Sequence, residues 1–276
     1  MEESPQAVQI VSPSNHSFEL HFFELERILG ASDIRDRYVV VVSIAGAFRK
    51  GKSFLMNFFL RYLEAEYTKK NVNDWLTELN VERGFKSRGG QQPETTGIWM
   101  WSDVFTHDHN GKELAIILLD TQGIFDNRSS VKDCITIFAL SMMLASVQCY
   151  NLMQNVQEDD LQHLELFSEY GKLVLGQSNE KPFQKLLFIV RDWPNSFETG
   201  MAVAQGGNLI VQLQQIESEF IKYVKELAPA IFAPENLIIK KVNGQELRTR
   251  DWIQYIQTYT GIFNVKVTYC LNQKRF

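Results

Sequence analysis

Apolar residues recur along the chain in short runs, and the spacing within each run predicts the element that it forms. Residues 38–45 and 114–119 are nearly continuous in apolar side chains, which is typical of buried parallel strands. Residues 17–29 and 158–171 instead place apolar side chains at helical spacing. Residues 54–63 are apolar on most sides over a length that favours a buried helix. Further strands are predicted at 7–11, 95–101, 146–152 and 186–190, and another helix ends at residue 144.

The order of these elements predicts the fold class. Strands alternate with helices, so we expect an α/β fold of three layers around a mostly parallel, doubly wound sheet, with ligands outside the carboxyl ends of the strands. A polar, glycine-rich segment at residues 64–94 predicts a long functional loop, and residues 107–111 predict a hairpin turn. Near the end of the chain, residues 262–276 alternate apolar and polar positions, which predicts a final strand.

A phosphate-binding loop is predicted between the strand at 38–45 and the helix at 54–63. Gly46-Ala-Phe-Arg-Lys-Gly-Lys-Ser53 fits the pattern G-x-x-x-x-G-K-[ST] of P-loop nucleotide hydrolases. Its glycines let backbone N–H groups face a phosphate, Lys52 would bridge the β- and γ-phosphates, and the Ser53 hydroxyl would bind Mg²⁺. A glycine-rich turn with a solvated lysine would explain the glycines but not the lysine–serine pair. We assign nucleotide binding to Gly46, Ala47, Phe48, Arg49, Lys50, Gly51, Lys52, Ser53 and Phe54.

Two later loops complete the predicted magnesium site. In a P-loop GTPase, Thr95 would place its hydroxyl on Mg²⁺ and its N–H on the γ-phosphate, although a loop threonine that caps a strand is the alternative. Asp120-Thr-Gln-Gly123 ends the strand at 114–119 and fits D-x-x-G, in which Asp120 holds Mg²⁺ and the Gly123 N–H reaches the γ-phosphate. We expect both loops to lie with the phosphate loop outside the carboxyl ends of the parallel strands, as in the three-layer P-loop GTPase fold.

Composition narrows the class of protein. The 276 residues suffice for one large domain or two small ones, and 45% hydrophobic with 22% charged residues is ordinary for a soluble globular protein. The formal charge of -5 argues against a dedicated nucleic-acid binder. Three cysteines without metal-ligand spacing indicate reduced thiols in the cytosol. No signal peptide is evident, and the most apolar stretch, residues 134–147, is too short to span a bilayer, so we expect no membrane insertion.

Taken together, these motifs resemble those of a known family, the atlastins, which are dynamin-like GTPases related to the guanylate-binding proteins. The resemblance is close over residues 16–193 and weaker over 216–259. It is carried by the phosphate loop extended to Met56, His16-Ser-Phe-Glu-Leu20, Arg88-Gly-Gly90, Glu94-Thr-Thr-Gly97, Asp120-Thr-Gln-Gly123, Tyr150-Asn-Leu152, residues 154–164 and Arg191-Asp-Trp193.

The resemblance implies roles for three arginines and one aspartate. Arg49 resembles the family's internal arginine finger, which would neutralise charge that develops on the γ-phosphate; an exposed basic residue without a catalytic role is the alternative. Arg88 resembles the arginine that links the loading state to dimerisation. Arg191-Asp192 is similar to the family's short guanine motif, in which the Asp192 carboxylate accepts from guanine N1–H and N2–H₂ together. The catalytic assignments are therefore Arg49, Lys52 and Thr95, and the metal ligands are Ser53, Thr95 and Asp120.

The chain also departs from the family. After Gly206-Gly-Asn208, atlastins have a long stretch that includes the loop covering the base, whereas here the chain passes almost directly to residue 215. We expect no counterpart of the family's helical middle domain, membrane hairpin and amphipathic tail within residues 1–276. We therefore divide the chain into an N-terminal segment with a helix at 1–37, a shortened G domain at 38–260 and a divergent tail at 261–276.

The resemblance implies a GTPase that binds GTP with Mg²⁺, hydrolyses it to GDP and phosphate, and forms a GTP-dependent homodimer. In the family this activity drives tethering and homotypic fusion of endoplasmic reticulum membranes. The implied location is the cytosolic side of that membrane, or the soluble cytosol if the chain is complete. Two alternatives stay open: a GTP-binding or dimerisation module with little turnover, because the base-covering stretch is missing, and a P-loop kinase that uses ATP. Asp192 disfavours the kinase, because adenine offers no matching pair of donors.

Overall fold

The computed structural model describes residues 4–14, 17–48, 50–73, 75–76, 84–85, 96–123, 131–175, 183–191 and 218–273. Its strands are β1 (Ala7–Ser14), β2 (Ser17–Leu20), β3 (Tyr38–Gly46), β4 (Ile98–Trp101), β5 (Phe105–His109), β6 (Lys112–Thr121), β7 (Val147–Met153), β8 (Lys185–Arg191), β9 (Lys241–Val242) and β10 (Gln245–Glu246). Its α-helices are α1 (Phe22–Leu29), α2 (Lys52–Leu63), α3 (Val131–Leu144), α4 (Glu158–Leu175), α5 (Ser218–Phe232) and α6 (Thr249–Gln273). A π-helical segment, Glu64–Lys69, extends α2, and a 3-10 turn, Pro234–Asn236, follows α5.

An eight-stranded sheet organises the described residues, in the order β2-β1-β4-β6-β3-β7-β8, with β5 paired to β6 outside this path. β3 is parallel to β6 on one side and to β7 on the other, and β8 continues the parallel part beyond β7. The pairs that involve β1, β2, β4 and β5 are antiparallel. The chain runs from β3 to β6 and later returns to the other side of β3 at β7. The strand order therefore reverses at the carboxyl end of β3, where a doubly wound sheet binds ligands.

The central strand β3 shows why its sequence is apolar without interruption. Val39 and Val41 belong to the core layer on one face of the sheet, and Val40 and Val42 belong to the layer on the opposite face. All four side chains are at most 1% exposed. Because successive side chains of a strand face opposite sides, burial on both faces requires an apolar residue at every position.

Helices cover both faces of the sheet. α1, α3 and α6 pack on one face, where Trp252 lies in the core, and α4 packs beside α3 through Phe138 and Phe167, whose ring centroids are 4.1 Å apart. α2 and α5 cover the other face, where the rings of Phe59 and Phe232 meet edge to face at 5.1 Å. The predicted three-layer α/β fold with a parallel centre is thereby confirmed. The predicted strands at 7–11, 38–45, 114–119, 146–152 and 186–190 and the predicted helices at 54–63 and 158–171 lie close to observed elements. No range was predicted for β5, β9, β10 or α5. The predicted loop at 64–94 is wrong over its first six residues, which form the π-helical segment Glu64–Lys69.

The predicted helix over residues 17–29 is partly wrong, because residues 17–20 form strand β2 and the helix begins only at Phe22. β2 pairs antiparallel with β1. The side chain of Asn264 on α6 also takes up both backbone groups of Phe18: its Oδ1 accepts from the N–H at 2.7 Å, and its Nδ2 donates to the carbonyl at 2.8 Å. These long-range bonds override the helical spacing of the local sequence.

The predicted strand over residues 262–276 is wrong where the structure describes it. α6 runs without interruption to Gln273, and Phe263 is fully buried in the layer that α6 shares with α1 and α3. Positions four residues apart share one face of a helix as readily as one face of a strand, so the alternation in the sequence does not exclude a helix. α6 also crosses residue 260, and β1 joins the same sheet as β3. The predicted division at residues 37 and 260 stays a prediction.

Candidate nucleotide-binding site

The loop between β3 and α2 leaves the sheet where the strand order reverses. β3 ends at Gly46 and α2 begins at Lys52, so the predicted strand, loop and helix are confirmed. Gly51 has a φ of 67°, a left-handed conformation that favours glycine. A β-carbon at Gly46 would come within 2.3 Å of the backbone oxygen of Asn151, so the loop begins in close contact with β7. A left-handed residue followed directly by a helix N-terminus is the geometry of an anion-binding nest.

Lys52 is a buried cation at the start of α2. The residue is 7% exposed, and its Nζ donates to the Ala47 carbonyl at 3.1 Å, so the side chain folds back over the loop. Burial lowers the pKa of the Lys52 ammonium to about 8; the Asp120 carboxylate opposes this shift, and the Arg191 guanidinium adds to it. A bound polyphosphate would bring negative charge beside the ammonium and stabilise its protonated form.

Strand β6 carries Asp120 to the same edge of the sheet. In the parallel ladder Asp120 is the register partner of Ile44, two residues before the loop begins. The Ser53 hydroxyl donates to Asp120 Oδ2 at 2.5 Å, and Asp120 is 1% exposed. Hydroxyl and carboxylate oxygens suit Mg²⁺, which usually binds one or two protein groups beside substrate phosphates and keeps several waters. Ser53 and Asp120, two of the three predicted metal ligands, therefore lie together and fit this ion.

The D-x-x-G segment after β6 lies against the phosphate loop. A β-carbon at Gly123 would come 2.5 Å from Cα of Phe48, so the two backbones are closer than a residue with a β-carbon at position 123 would allow. Gln122 is 3% exposed; its backbone N–H donates to the Gly97 carbonyl at 2.8 Å, and its Oε1 accepts from the Gly97 N–H at 2.7 Å. These two bonds join the D-x-x-G segment to the threonine loop that precedes β4. Because Gly97 and Gln122 are 25 residues apart, no short sequence motif contains both residues, and the sequence did not predict these bonds.

Two further side chains meet at the Lys50 carbonyl of the loop. Asn151, near the carboxyl end of β7, donates from Nδ2 at 2.8 Å, and the guanidinium of Arg191, the last residue of β8, donates to the same oxygen. The sequence predicts Arg191 as part of a guanine motif, and its side chain here reaches the phosphate loop. Asn151 has no predicted role, although a signal was present: like Asp120 and Arg191, it is a polar residue near the end of an apolar strand.

Comparison with known proteins identifies the family to which this fold and site belong. Residues 15–212, more than half of the chain, match the sequence model of the guanylate-binding protein N-terminal domain. The chain belongs to this family.

The curated relatives of this guanylate-binding-type domain include atlastins. Atlastin of Drosophila melanogaster is 44% identical over 307 residues, which cover 93% of this chain and 57% of the relative. Atlastin-1 of Mus musculus is 42% identical, with 94% of this chain and 54% of the relative covered. Atlastin-2 of Homo sapiens is 40% identical, with 95% and 53% covered. The predicted resemblance to atlastins is confirmed, and the chain spans about half the length of these relatives.

Not every predicted site residue of this guanylate-binding-type domain can be placed. Outside the described residues lie Arg49, Arg88, Thr95 and Asp192. Phe54 is described, and its ring packs against Phe58 and Phe220 at centroid distances of 5.1 and 5.9 Å, so any contact with a nucleotide would come from its backbone. Within the described part of the chain, the helices are too short or too polar to cross a membrane.

Proposed function

We propose that this chain is a GTPase domain that binds GTP with Mg²⁺ and hydrolyses it to GDP and phosphate. The observation that carries the proposal is the contact between Ser53 Oγ and Asp120 Oδ2 at 2.5 Å, beside the buried ammonium of Lys52. One oxygen pair suited to Mg²⁺ and one cation suited to phosphate thus meet at the end of β3. The match to the guanylate-binding family supports a guanine nucleotide as the ligand.

Each group has a task in phosphoryl transfer. The loop N–H groups and Lys52 would hold the β- and γ-phosphates, and the ammonium would neutralise charge that grows between them as the bond breaks. Ser53, Thr95 and Asp120 would hold Mg²⁺, which when bound supplies positive charge to the phosphate oxygens. Arg49 would add a guanidinium at the γ-phosphate, where it acts mainly in the transition state.

In this proposal the attacking water is held by backbone groups. Gln122 precedes Gly123, whereas Ras carries its water-positioning glutamine in another place. The Oε1 of Gln122 accepts from the Gly97 N–H at 2.7 Å, and this bond commits the side chain to the threonine loop. Gln122 is therefore a link between the two loops that would enclose the γ-phosphate, and its amide is not assigned to water.

Base selection is assigned to the residue that follows β8. The Asp192 carboxylate would accept from guanine N1–H and N2–H₂, a pair of donors that adenine lacks. Arg191, its neighbour, already contacts the phosphate loop through the Lys50 carbonyl. Arg88 would report the loading state of the site to a second copy of the domain, which supports a GTP-dependent homodimer as the partner. No role with nucleic acid is proposed.

The cellular role is proposed from the relatives. As the G domain of an atlastin-type protein, the chain would couple GTP-dependent dimerisation to tethering and homotypic fusion of endoplasmic reticulum membranes on their cytosolic side. Because it spans 57% of the Drosophila relative and 54% of the mouse relative, the steps at the membrane would depend on parts of those proteins that this chain does not match.

Arg49→Ala tests the reaction itself. We expect GTP affinity to change little and turnover to fall by about 10³-fold or more, because an arginine finger stabilises the transition state and not the ground state. Phosphate release at saturating GTP and binding of a non-hydrolysable GTP analogue measure the two effects separately. Equal losses in both would make Arg49 a ground-state ligand and remove it from the catalytic assignment.

The second candidate is a GTP-binding or dimerisation module with little turnover. It is favoured by the comparison with Drosophila Atlastin, which runs over 307 residues and so exceeds the 276 residues of this chain; the relative contains residues with no counterpart here. Phosphate release by the purified chain at saturating GTP separates the two candidates. Tight GTP binding without release above the uncatalysed rate would favour the module.

A further inference from the structure

A buried amide on β7 contacts the phosphate loop from a strand that carries none of the nucleotide-binding motifs. Asn151 is 1% exposed, and its Nδ2 donates to the Lys50 carbonyl at 2.8 Å, across 101 residues of sequence. We propose that Asn151 is a positioning residue that orients the Lys50–Gly51 peptide so that its N–H faces the nucleotide phosphates. The inference rests on the proposed function, because it assigns a task within the same site.

Because the peptide bond is planar, this contact fixes the orientation of the whole Lys50–Gly51 peptide group. In a trans peptide the carbonyl and the N–H point in opposite directions, so an anchor on the Lys50 oxygen also fixes the direction of the Gly51 N–H. An anion nest requires its N–H groups to face the phosphate and its carbonyls to face away, since a carbonyl turned inward would repel the anion. Gly51 has a left-handed φ of 67°, so its two flanking peptides would reorient readily without an anchor.

The position of Asn151 in the sheet fits this task. Asn151 is the register partner of Gly46 in the parallel ladder between β3 and β7. A β-carbon at Gly46 would come 2.3 Å from the Asn151 backbone oxygen, so β7 supports the first residue of the loop through its backbone and the fifth through its side chain. The carboxyl end of β7 thus contacts both sides of the turn.

The chemistry of the side chain also points to its NH₂ group. Among the described residues, no hydrogen-bond partner meets Asn151 Oδ1, although the atom is buried. Burial of an unpaired amide oxygen costs folding free energy, so an apolar side chain would suit the core better at this place. The amide therefore contributes through the bond that it donates to Lys50. Arg191 donates to the same oxygen and reinforces the anchor, but it also lies beside the predicted base site, so Asn151 is the cleaner probe.

The experiment compares the parent chain with Asn151→Ala, Asn151→Asp and Gln148→Met. Gln148 is the matched control because it is a fully buried amide on the same strand, bonded to the carbonyl of Cys149 and not to the loop. GDP affinity is measured by competition with a fluorescent GDP analogue at pH 7.5 and pH 6, and the melting temperature is measured without nucleotide. Asn151→Asp keeps the shape of the side chain, so it carries the test if Asn151→Ala fails to fold.

At pH 7.5 we expect Asn151→Ala to weaken GDP binding about tenfold and Asn151→Asp to weaken it more, because a carboxylate repels both the Lys50 oxygen and the phosphates. At pH 6 the Asn151→Asp loss should shrink relative to Asn151→Ala, since burial raises the pKa of a carboxyl group and its protonated form donates again. Gln148→Met should lower the melting temperature and leave GDP affinity within about twofold. A merely structural role would change the melting temperature of Asn151→Ala and leave its GDP affinity within about twofold, as in Gln148→Met.

The inference is overturned if Asn151→Ala binds GDP as tightly as Gln148→Met, or if Asn151→Asp shows no recovery at pH 6. Failure of the parent to bind GDP would be a failure of the proposed function. The same four proteins would then be measured with ADP, which presents the same diphosphate to the loop and decides the role of Asn151 separately. A parent that binds neither nucleotide overturns both proposals.

Discussion

Raising the pH from 7 to 9 should weaken nucleotide binding about tenfold, because Lys52 loses its proton in this range. Burial sets the pKa of the Lys52 ammonium at about 8 in the nucleotide-free protein. The ammonium is then populated to about 90% at pH 7 and about 10% at pH 9. Phosphate charge beside the ammonium raises its pKa in the complex, so binding above pH 8 must include uptake of a proton. The smaller population of protonated Lys52 at pH 9 therefore lowers the affinity for the nucleotide.

The same pKa predicts that the folding stability of the nucleotide-free protein rises with pH. A lysine whose folded pKa lies below its ordinary 10.5 destabilises the fold fully below pH 8, and the penalty is relieved as the pH rises from about 8 to 10.5. Nucleotide-free protein should therefore gain stability from Lys52 over the range in which nucleotide binding weakens. Burial of the Lys52 ammonium is the common cause of both effects.

Calorimetric titration with GDP at pH 7, 8 and 9 measures the first effect, and urea unfolding at the same pH values measures the second. Lys52→Arg is the control, because a guanidinium stays charged throughout this range. The affinity that this variant retains should change little with pH, and any change would report the titration of the guanine base. A parent affinity that stays within about twofold from pH 7 to 9 would refute a titrating Lys52 at the phosphates.

Three further substitutions follow from the site and its support. Gly123→Ala should lower turnover and destabilise the fold by about 1–3 kcal/mol, since its β-carbon would lie 2.5 Å from Cα of Phe48; phosphate release and urea unfolding check this. Asp192→Asn should weaken GTP binding selectively and partly restore binding of a xanthine nucleotide, measured by competition, because the amide presents a donor to the base. Trp252→Phe should cost about 1–3 kcal/mol in unfolding free energy with turnover unchanged, because its indole N–H donates to the Leu144 carbonyl at 3.0 Å.

The central part of the fold was predictable because one physical constraint acts on each residue separately. Burial of β3 on both faces requires an apolar residue at every position, and this is visible in the sequence from Val39 to Val42. The phosphate loop was predictable for a similar reason, since glycine at 46 and 51 is imposed by local backbone geometry and close approach. Such constraints determine the residue type at the position on which they act, so they are visible in the sequence.

Other features depend on partners far away in sequence. Strand β2 exists because β1 and Asn264 take up its backbone bonds, and neither partner leaves a mark within residues 17–20. The anchor on the Lys50 carbonyl joins residues separated by 101 positions for Asn151 and 141 for Arg191. A polar residue near a strand end marks a candidate, but only the register of the sheet shows which loop it contacts.

Every role proposed for this chain depends on the binding of a guanine nucleotide at the end of β3. Calorimetric titration with non-hydrolysable analogues of GTP and ATP, in the presence of Mg²⁺, tests it most directly. We predict saturable binding of the GTP analogue at one site, about tenfold or more tighter than the ATP analogue, and loss of that binding in Lys52→Ala. Equal affinity for the two analogues would refute guanine selection, and binding that survives Lys52→Ala unchanged would refute binding at the phosphate loop.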